Sequence, residues 1–144
     1  MKKSILILFV LIGSIGYSQD WKTDFSLAKK EAVAQNKPIL LVFSGSDWCA
    51  PCIKLDKSIW QSAEFKKYAA DNLILERADF PKKKQNQLEA VIKQQNQDLA
   101  EIYNQNGVFP LVVILDKTGK VLGTTSYKNI TPTPYIDLLK SFLK

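Results

Sequence analysis

Apolar residues in this chain come either in short unbroken runs or at helical spacing, and the two patterns alternate. Phe25, Ala28, Ala32 and Val33 recur at helical spacing, so residues 25–35 read as a helix entered through Thr23-Asp24. Asn36-Lys37-Pro38 ends it, because proline disfavours helical geometry in the residue before it. Residues 39–43 are a continuous apolar run of strand formers, the pattern of a strand buried on both faces. Residues 44–47 are turn chemistry, and residues 52–58 read as a helix with Cys49 at or near its start. Ser62 is the expected N-cap of a helix over residues 63–71. Residues 73–79 read as a strand, and residues 81–85 as a polar connection. Residues 87–105 read as a long helix with Leu88, Val91, Ile92, Leu99 and Ile102 on its buried stripe, a register break near residues 94–97, and a stop at Asn106-Gly107. Residues 111–115 and 121–126 read as two strands joined by the turn 116–120. Thr133 and Pro134 mark the start of a last helix, with Tyr135, Leu138, Leu139 and Phe142 facing inward. A parallel β-α-β unit followed by an antiparallel hairpin implies an α/β fold, a mixed central β-sheet flanked by helices.

The N-terminus carries a different pattern. Lys2 and Lys3 precede an almost wholly apolar stretch, residues 4–15, interrupted by Gly13 and Ser14 and followed by the small residues Gly16 and Ser18. That layout predicts a signal peptide over residues 1–18 and a mature domain over residues 19–144, with cleavage after Gln19 as the neighbouring choice. The stretch is shorter than the roughly 20 residues of a spanning helix. No stable membrane insertion is therefore expected after cleavage, an uncleaved N-terminal anchor being the other reading. The implied location is exported, with the periplasm first and secretion second. The chain's 144 residues are 46% hydrophobic and 24% charged, a globular composition with room for one domain. Losing Lys2 and Lys3 takes the net charge from +6 to +4. The densest basic run, Lys82-Lys83-Lys84, has no interleaved aromatics and reads as a solvated loop, so no nucleic-acid partner is expected.

Two cysteines and no histidine narrow the chemistry. Histidine-dependent nucleophilic catalysis and histidine-ligated metal sites are excluded, and a closed zinc site wants about four cysteine or histidine ligands. Both cysteines lie in Cys49-Ala50-Pro51-Cys52. A disulfide closing so short a loop restricts the unfolded chain little, so the pair suits reversible redox work better than stapling. Between a buried strand and a helix start, unpaired amides and the helix dipole favour thiolate over thiol. Cys49 is therefore the expected nucleophile, and Cys52, one turn later, the resolving thiol. Pro51 lacks an N–H that a first helical turn does not need, and it stiffens the link between the cysteines. Trp48 either covers the nucleophile's flank and meets a partner or packs in the core, and Asp47 reads as a turn cap. No nucleotide or flavin motif is visible, so no cofactor is expected and electrons come from another protein or a small thiol. Two other readings stay open on the residues alone. One is a non-catalytic protein-binding module; the other is a thiolate metal-binding protein holding Cu(I), against which Met1 is the only methionine.

Trp48-Cys49-Ala50-Pro51-Cys52 behind the strand 39–43, with Phe109-Pro110 ahead of the strand 111–115, resembles the thioredoxin superfamily. The segment 37–49 is similar to exported thioredoxin-like proteins that hand electrons onward from a membrane reductant transporter. The resemblance implies a thioredoxin-like fold and a thiol-disulfide oxidoreductase acting on protein thiols and disulfides, as a reductase first. It also implies a membrane or periplasmic redox partner protein. It makes Pro110 a cis proline against the disulfide, an X–Pro bond being the place where a cis peptide is tolerated. Trp48, Phe109 and Pro110 would then meet an extended substrate segment. The chain departs from the family pattern in three ways. The strand before the motif has apolar Val42 and Phe43 where family members carry a buried acid, so proton transfer at Cys52 is expected either to be slow or to use water or another group. Ala50 replaces the glycine usual in reducing members, which leaves the redox direction open. The segment between Asp79 and Pro110 is longer than in a minimal thioredoxin, and its polar helix reads as an embellishment ahead of a partner surface.

Overall fold

In the computed structural model, which describes residues 19–144, the chain runs β1 (Trp21–Lys22), α1 (Phe25–Gln35), β2 (Ile39–Ser44), α2 (Ala50–Leu55), α3 (Ala63–Asn72), β3 (Ile74–Asp79), α4 (Ala90–Tyr103), β4 (Leu111–Leu115), β5 (Val121–Thr125) and α5 (Pro132–Ser141). The signal-peptide reading of residues 1–18 lies outside the described residues. The strands form one sheet in the order β1-β3-β2-β4-β5. β3 is parallel to β1 and β2, while β4 is antiparallel to β2 and β5. This is the mixed sheet the element order predicts.

β2 is central, and all six of its residues are buried. Its side chains divide between two cores by simple alternation. Leu40 and Val42 join Leu75, Val112 and Ile114 under α2, α3 and α5, where Trp60, Phe65 and Tyr135 supply the bulk. Ile39, Leu41 and Phe43 join Ile74, Ala78, Val113 and Leu115 under α1 and α4. A strand covered on both faces has no polar side, which is why its sequence is unbroken in apolar residues.

Local chemistry sets most boundaries. The Asp24 carboxylate accepts from the amides of Ser26 and Leu27 to start α1, and Asn36 ends it in the left-handed region at φ 51°. Ser62 accepts from Phe65 N–H at 3.2 Å to start α3. The expected helix over residues 52–58 starts earlier, at Ala50, and continues past α2 as a π-helical turn, Asp56–Trp60. α5 starts at Pro132 rather than near Pro134; the two Thr-Pro pairs carry the same signal, and Tyr135 N–H closes the first turn on Thr131 O. β1 is only two residues long, too short for any periodicity, and lies parallel against β3.

α4 departs furthest from expectation. It is shorter than residues 87–105, it has no register break, and Val91 and Ile102 are 68% and 65% exposed. Leu99 does face inward, but the other buried positions are Asn96 within the helix and Asn104 at its end. Asn96 Nδ2 donates to Asp79 O at 3.0 Å, and Asn104 brackets Val108 through both its N–H and its C=O. Amides that find partners can occupy core positions that an apolar pattern would assign elsewhere. On α1, Val33 likewise points outward at 61% exposure.

β3 buries a carboxylic acid. Glu76 shares its face of the sheet with Ile74 and Ala78, is fully buried, and has neither carboxylate oxygen hydrogen-bonded among the described residues. Lys22 stands beside it in register, but its ammonium turns to Asp20 at 2.6 Å and Glu31 at 2.9 Å. Burial, with Asp24 adding repulsion and Lys22 offsetting part of it, pushes the Glu76 carboxyl up to about 8.

Candidate active site

At the end of β2 the chain turns through Ser44, Gly45, Ser46 and Asp47 and enters α2 at the cysteine pair. Cys49 and Cys52 are joined in a disulfide with their Cα atoms 5.2 Å apart. Cys49 is the N-cap of α2: its backbone is extended, and its Sγ accepts the Cys52 N–H at 3.3 Å. A helix-terminal amide thus already points at the Cys49 sulfur, where it would stabilise a thiolate. Ala50 and Pro51 occupy the first helical positions and are exposed, whereas each cysteine is only 4% exposed.

The Phe109–Pro110 peptide is cis. Pro110 is buried, Ser126 Oγ donates to its carbonyl at 2.6 Å, and it lines one small cavity together with Cys52. Trp48 lies 39% exposed, its ring centroid 5.5 Å from that of Phe109. Trp48 is therefore a surface side chain packed on the loop that carries Pro110, not a core residue. The fold brings Trp48, Cys49, Cys52, Phe109 and Pro110 to one end of the sheet.

Gly45 makes that placement possible. A Cβ there would collide with the indole of Trp48. Gly45→Ala is expected to displace the indole and lower stability by about 1–3 kcal/mol; chemical denaturation checks the cost.

Four polar groups around the site have no local sequence signal. The Asp47 carboxylate accepts from Lys82 N–H and Lys83 N–H, both at 2.9 Å, and from Asn86 Nδ2 at 3.0 Å. It caps a connection thirty-five residues away rather than its own turn. These donors, the Lys82 amide first, hold the Asp47 carboxyl below its ordinary value despite some opposing desolvation. Asp79 accepts from Ser46 N–H at 2.9 Å, and Trp48 Nε1 donates to Phe80 O at 2.7 Å. Ser46 is thus tied to the last residue of β3, and Asp47 and Trp48 to the connection after it. Asp56 and Arg77 form an ion pair at 2.9 Å and line the same small cavities as Cys52. They sit in the α2 extension and in β3, so only the fold reveals them as neighbours of the second cysteine. β2 carries no acid at Val42 or Phe43; Asp56, at the end of α2, lines the same two small cavities as Cys52. Glu76, the buried acid of β3, belongs to the opposite core and not to this site.

Among the described residues no cluster of three or more His, Cys, Asp or Glu could hold a metal ion, and no helix is long and apolar enough to cross a membrane. A Thioredoxin-like family model matches residues 20–117. A relative from Chlamydia pneumoniae, the disulfide bond reductase DsbH, is 37% identical over 124 residues, covering 86% of this chain and 72% of that protein. A solved DsbH oxidoreductase structure superposes with a TM-score of 0.82 at 32% identity, covering 99% of this chain and 94% of that one. A disulphide isomerase from Xylella fastidiosa Temecula1 shares the fold, with a TM-score of 0.64 at 21% identity over 97% of this chain and all of that one.

Proposed function

Because this chain belongs to the thioredoxin-like family and is a thiol-disulfide oxidoreductase, we propose that it works as an exported reductase of protein disulfides. The observation that carries the site assignment is the Cys52 amide directed at Cys49 Sγ, at the start of a helix and beside an exposed tryptophan. The direction is supported by the relative named as a disulfide bond reductase.

In the reduced protein, the Cys49 thiolate attacks one sulfur of a substrate disulfide. The substrate's S–S bond breaks, one substrate cysteine leaves as a thiolate, and a mixed disulfide joins Cys49 to the other. Cys52 then loses its proton and attacks Cys49 Sγ. The second substrate thiolate leaves, the Cys49–Cys52 disulfide forms, and two electrons have passed to the substrate. Asp56, held by Arg77, is the positioning residue assigned to the Cys52 proton. Trp48, Phe109 and Pro110 form the substrate-facing edge. Ala50 and Pro51 space the two sulfurs. A membrane or periplasmic redox protein re-reduces the pair; the mature chain, residues 19–144, follows removal of the signal peptide.

The test is the midpoint potential of the protein, titrated against a dithiol buffer with free thiols counted. A value near that of thioredoxin, about −270 mV, supports reduction; one near about −120 mV, as in strong disulfide donors, overturns the direction.

A further inference from the structure

Beside the redox loop lies a mainly apolar pocket of about 340 Å³. Its near side is Trp48 and Phe109; its far wall is Phe80, Pro81 and Leu88, from the connection after β3 and the approach to α4. That connection makes the chain longer here than a minimal thioredoxin. The volume is at the small end of the roughly 300–1,000 Å³ of ligand sites, a fit for one or two side chains and not for a large cofactor.

The pocket is built in advance. Phe80 packs edge-on against Phe109 at 5.4 Å and stacks near Phe43 at 6.4 Å, and its carbonyl holds the Trp48 indole N–H. The Asp47 carboxylate fixes the next two residue amides after Pro81. An occupant would therefore not have to order the wall, which lowers the cost of binding.

Its rim is basic. Lys82 and Lys93 both line the pocket, and Lys82 Nζ lies 3.9 Å from the centroid of the Trp48 ring. Neither lysine belongs to an ion pair among the described residues. The one carboxylate of the lining, Asp79, is engaged by Ser46. The charge offered to a visitor is positive.

From this continuity with the substrate-facing edge, and from this charge, we infer that the pocket receives a bulky apolar side chain next to the disulfide cysteine of a substrate polypeptide, with Lys82 and Lys93 pairing an acidic residue just beyond it. The inference rests on the substrate-facing role proposed for Trp48 and Phe109. It gives the long connection a function: selecting which disulfides reach Cys49.

Two disulfide-linked peptide dimers test it, acetyl-Glu-Phe-Cys-Phe-Glu-amide and acetyl-Lys-Gly-Cys-Gly-Lys-amide, with hydroxyethyl disulfide as a small substrate that cannot fill the pocket. Serine-for-cysteine versions of both peptides are titrated calorimetrically into the oxidised protein, so that binding is read without redox chemistry. The acidic, aromatic peptide is expected to bind, and to be reduced in kcat/KM, about tenfold better or more, given the burial of one large side chain. In the double variant Leu88→Ala/Lys93→Glu, at positions that are half-buried and exposed, both ratios should fall to within about twofold. Equal binding of the two peptides by the unaltered protein overturns the pocket assignment even if both are reduced. Failure to reduce either peptide or hydroxyethyl disulfide, with the binding preference intact, overturns the reductase reading and leaves the pocket standing.

Discussion

Cys49→Ser is expected to abolish turnover, and Cys52→Ser to arrest it halfway. Without Cys49 no thiolate lies at the start of α2, where the Cys52 amide points at the sulfur. Loss of the nucleophile should lower kcat/KM by on the order of 10³-fold or more. Without Cys52 the first exchange still runs, because it needs only Cys49, but nothing intramolecular displaces the substrate. Incubated with a disulfide peptide, that variant should accumulate a mixed disulfide visible as an added mass that dithiothreitol removes. Asp56 separates the two steps further. Its carboxylate lines the cavity next to Cys52 and is braced by Arg77 at 2.9 Å. Asp56→Asn should leave formation of the mixed disulfide unchanged and slow its resolution by roughly 10²-fold, the low end of general acid–base effects. A rapid-quench time course distinguishes them: a transient adduct that outlasts the unaltered protein's supports the role, and an identical decay removes it. If Cys49→Ser traps substrate instead, the two cysteines have exchanged parts.

Stability should fall as pH rises from mildly acidic to mildly alkaline, because of Glu76. The carboxyl is fully buried, lacks hydrogen-bond partners among the described residues, and is pushed from an ordinary 4.5 up to about 8. Between those values the folded chain keeps a proton that the unfolded chain releases. Its contribution is therefore complete below 4.5 and is lost as pH climbs through about 8, with a slope of about 1.4 kcal/mol per pH unit inside the window. Urea midpoints at pH 5 and pH 8 should differ accordingly. Glu76→Gln should flatten that slope by removing the titrating group. Glu76→Met removes the burial of an unpartnered polar group and should raise stability by about 1–3 kcal/mol. A pH-independent midpoint in the unaltered protein would show that Glu76 titrates normally.

The sequence makes the sheet and the thiol pair visible for the same reason: both are written in adjacent residues. Asp24 and Asn36-Lys37-Pro38 bracket α1 by capping and sterics that act within a few positions. The unbroken run of β2 announces a two-sided burial without any knowledge of what covers it. Cys49 and Cys52 are picked out by their spacing together with the buried strand before them, the helix after them and the adjoining Trp48, and Phe109-Pro110 by its resemblance to a known loop. What escapes is written across distance. The inward face of α4 is misread at Val91 and Ile102 because Asn96 and Asn104 occupy buried positions, satisfied by Asp79 and Val108. Asp56, Arg77 and Phe80 become site residues only when β3 and the α2 extension come to lie beside each other. Asp47 looks like an ordinary turn residue until its three donors arrive from residues 82–86.

Those three donors also set how the molecule opens. A lysine-rich, solvent-facing connection is ordinarily the first part of a domain to unfold locally, and its amide protons exchange accordingly. The amides of Lys82 and Lys83 are instead closed onto Asp47, one residue from Trp48 and two from Cys49. Exchange at either lysine requires breaking the bond that holds it to the redox loop, and the Phe80 carbonyl takes the Trp48 indole N–H with it. Segments more than thirty residues apart in the chain are therefore expected to open together, with amide exchange at Lys82 and Lys83 reporting on the loop that carries Cys49.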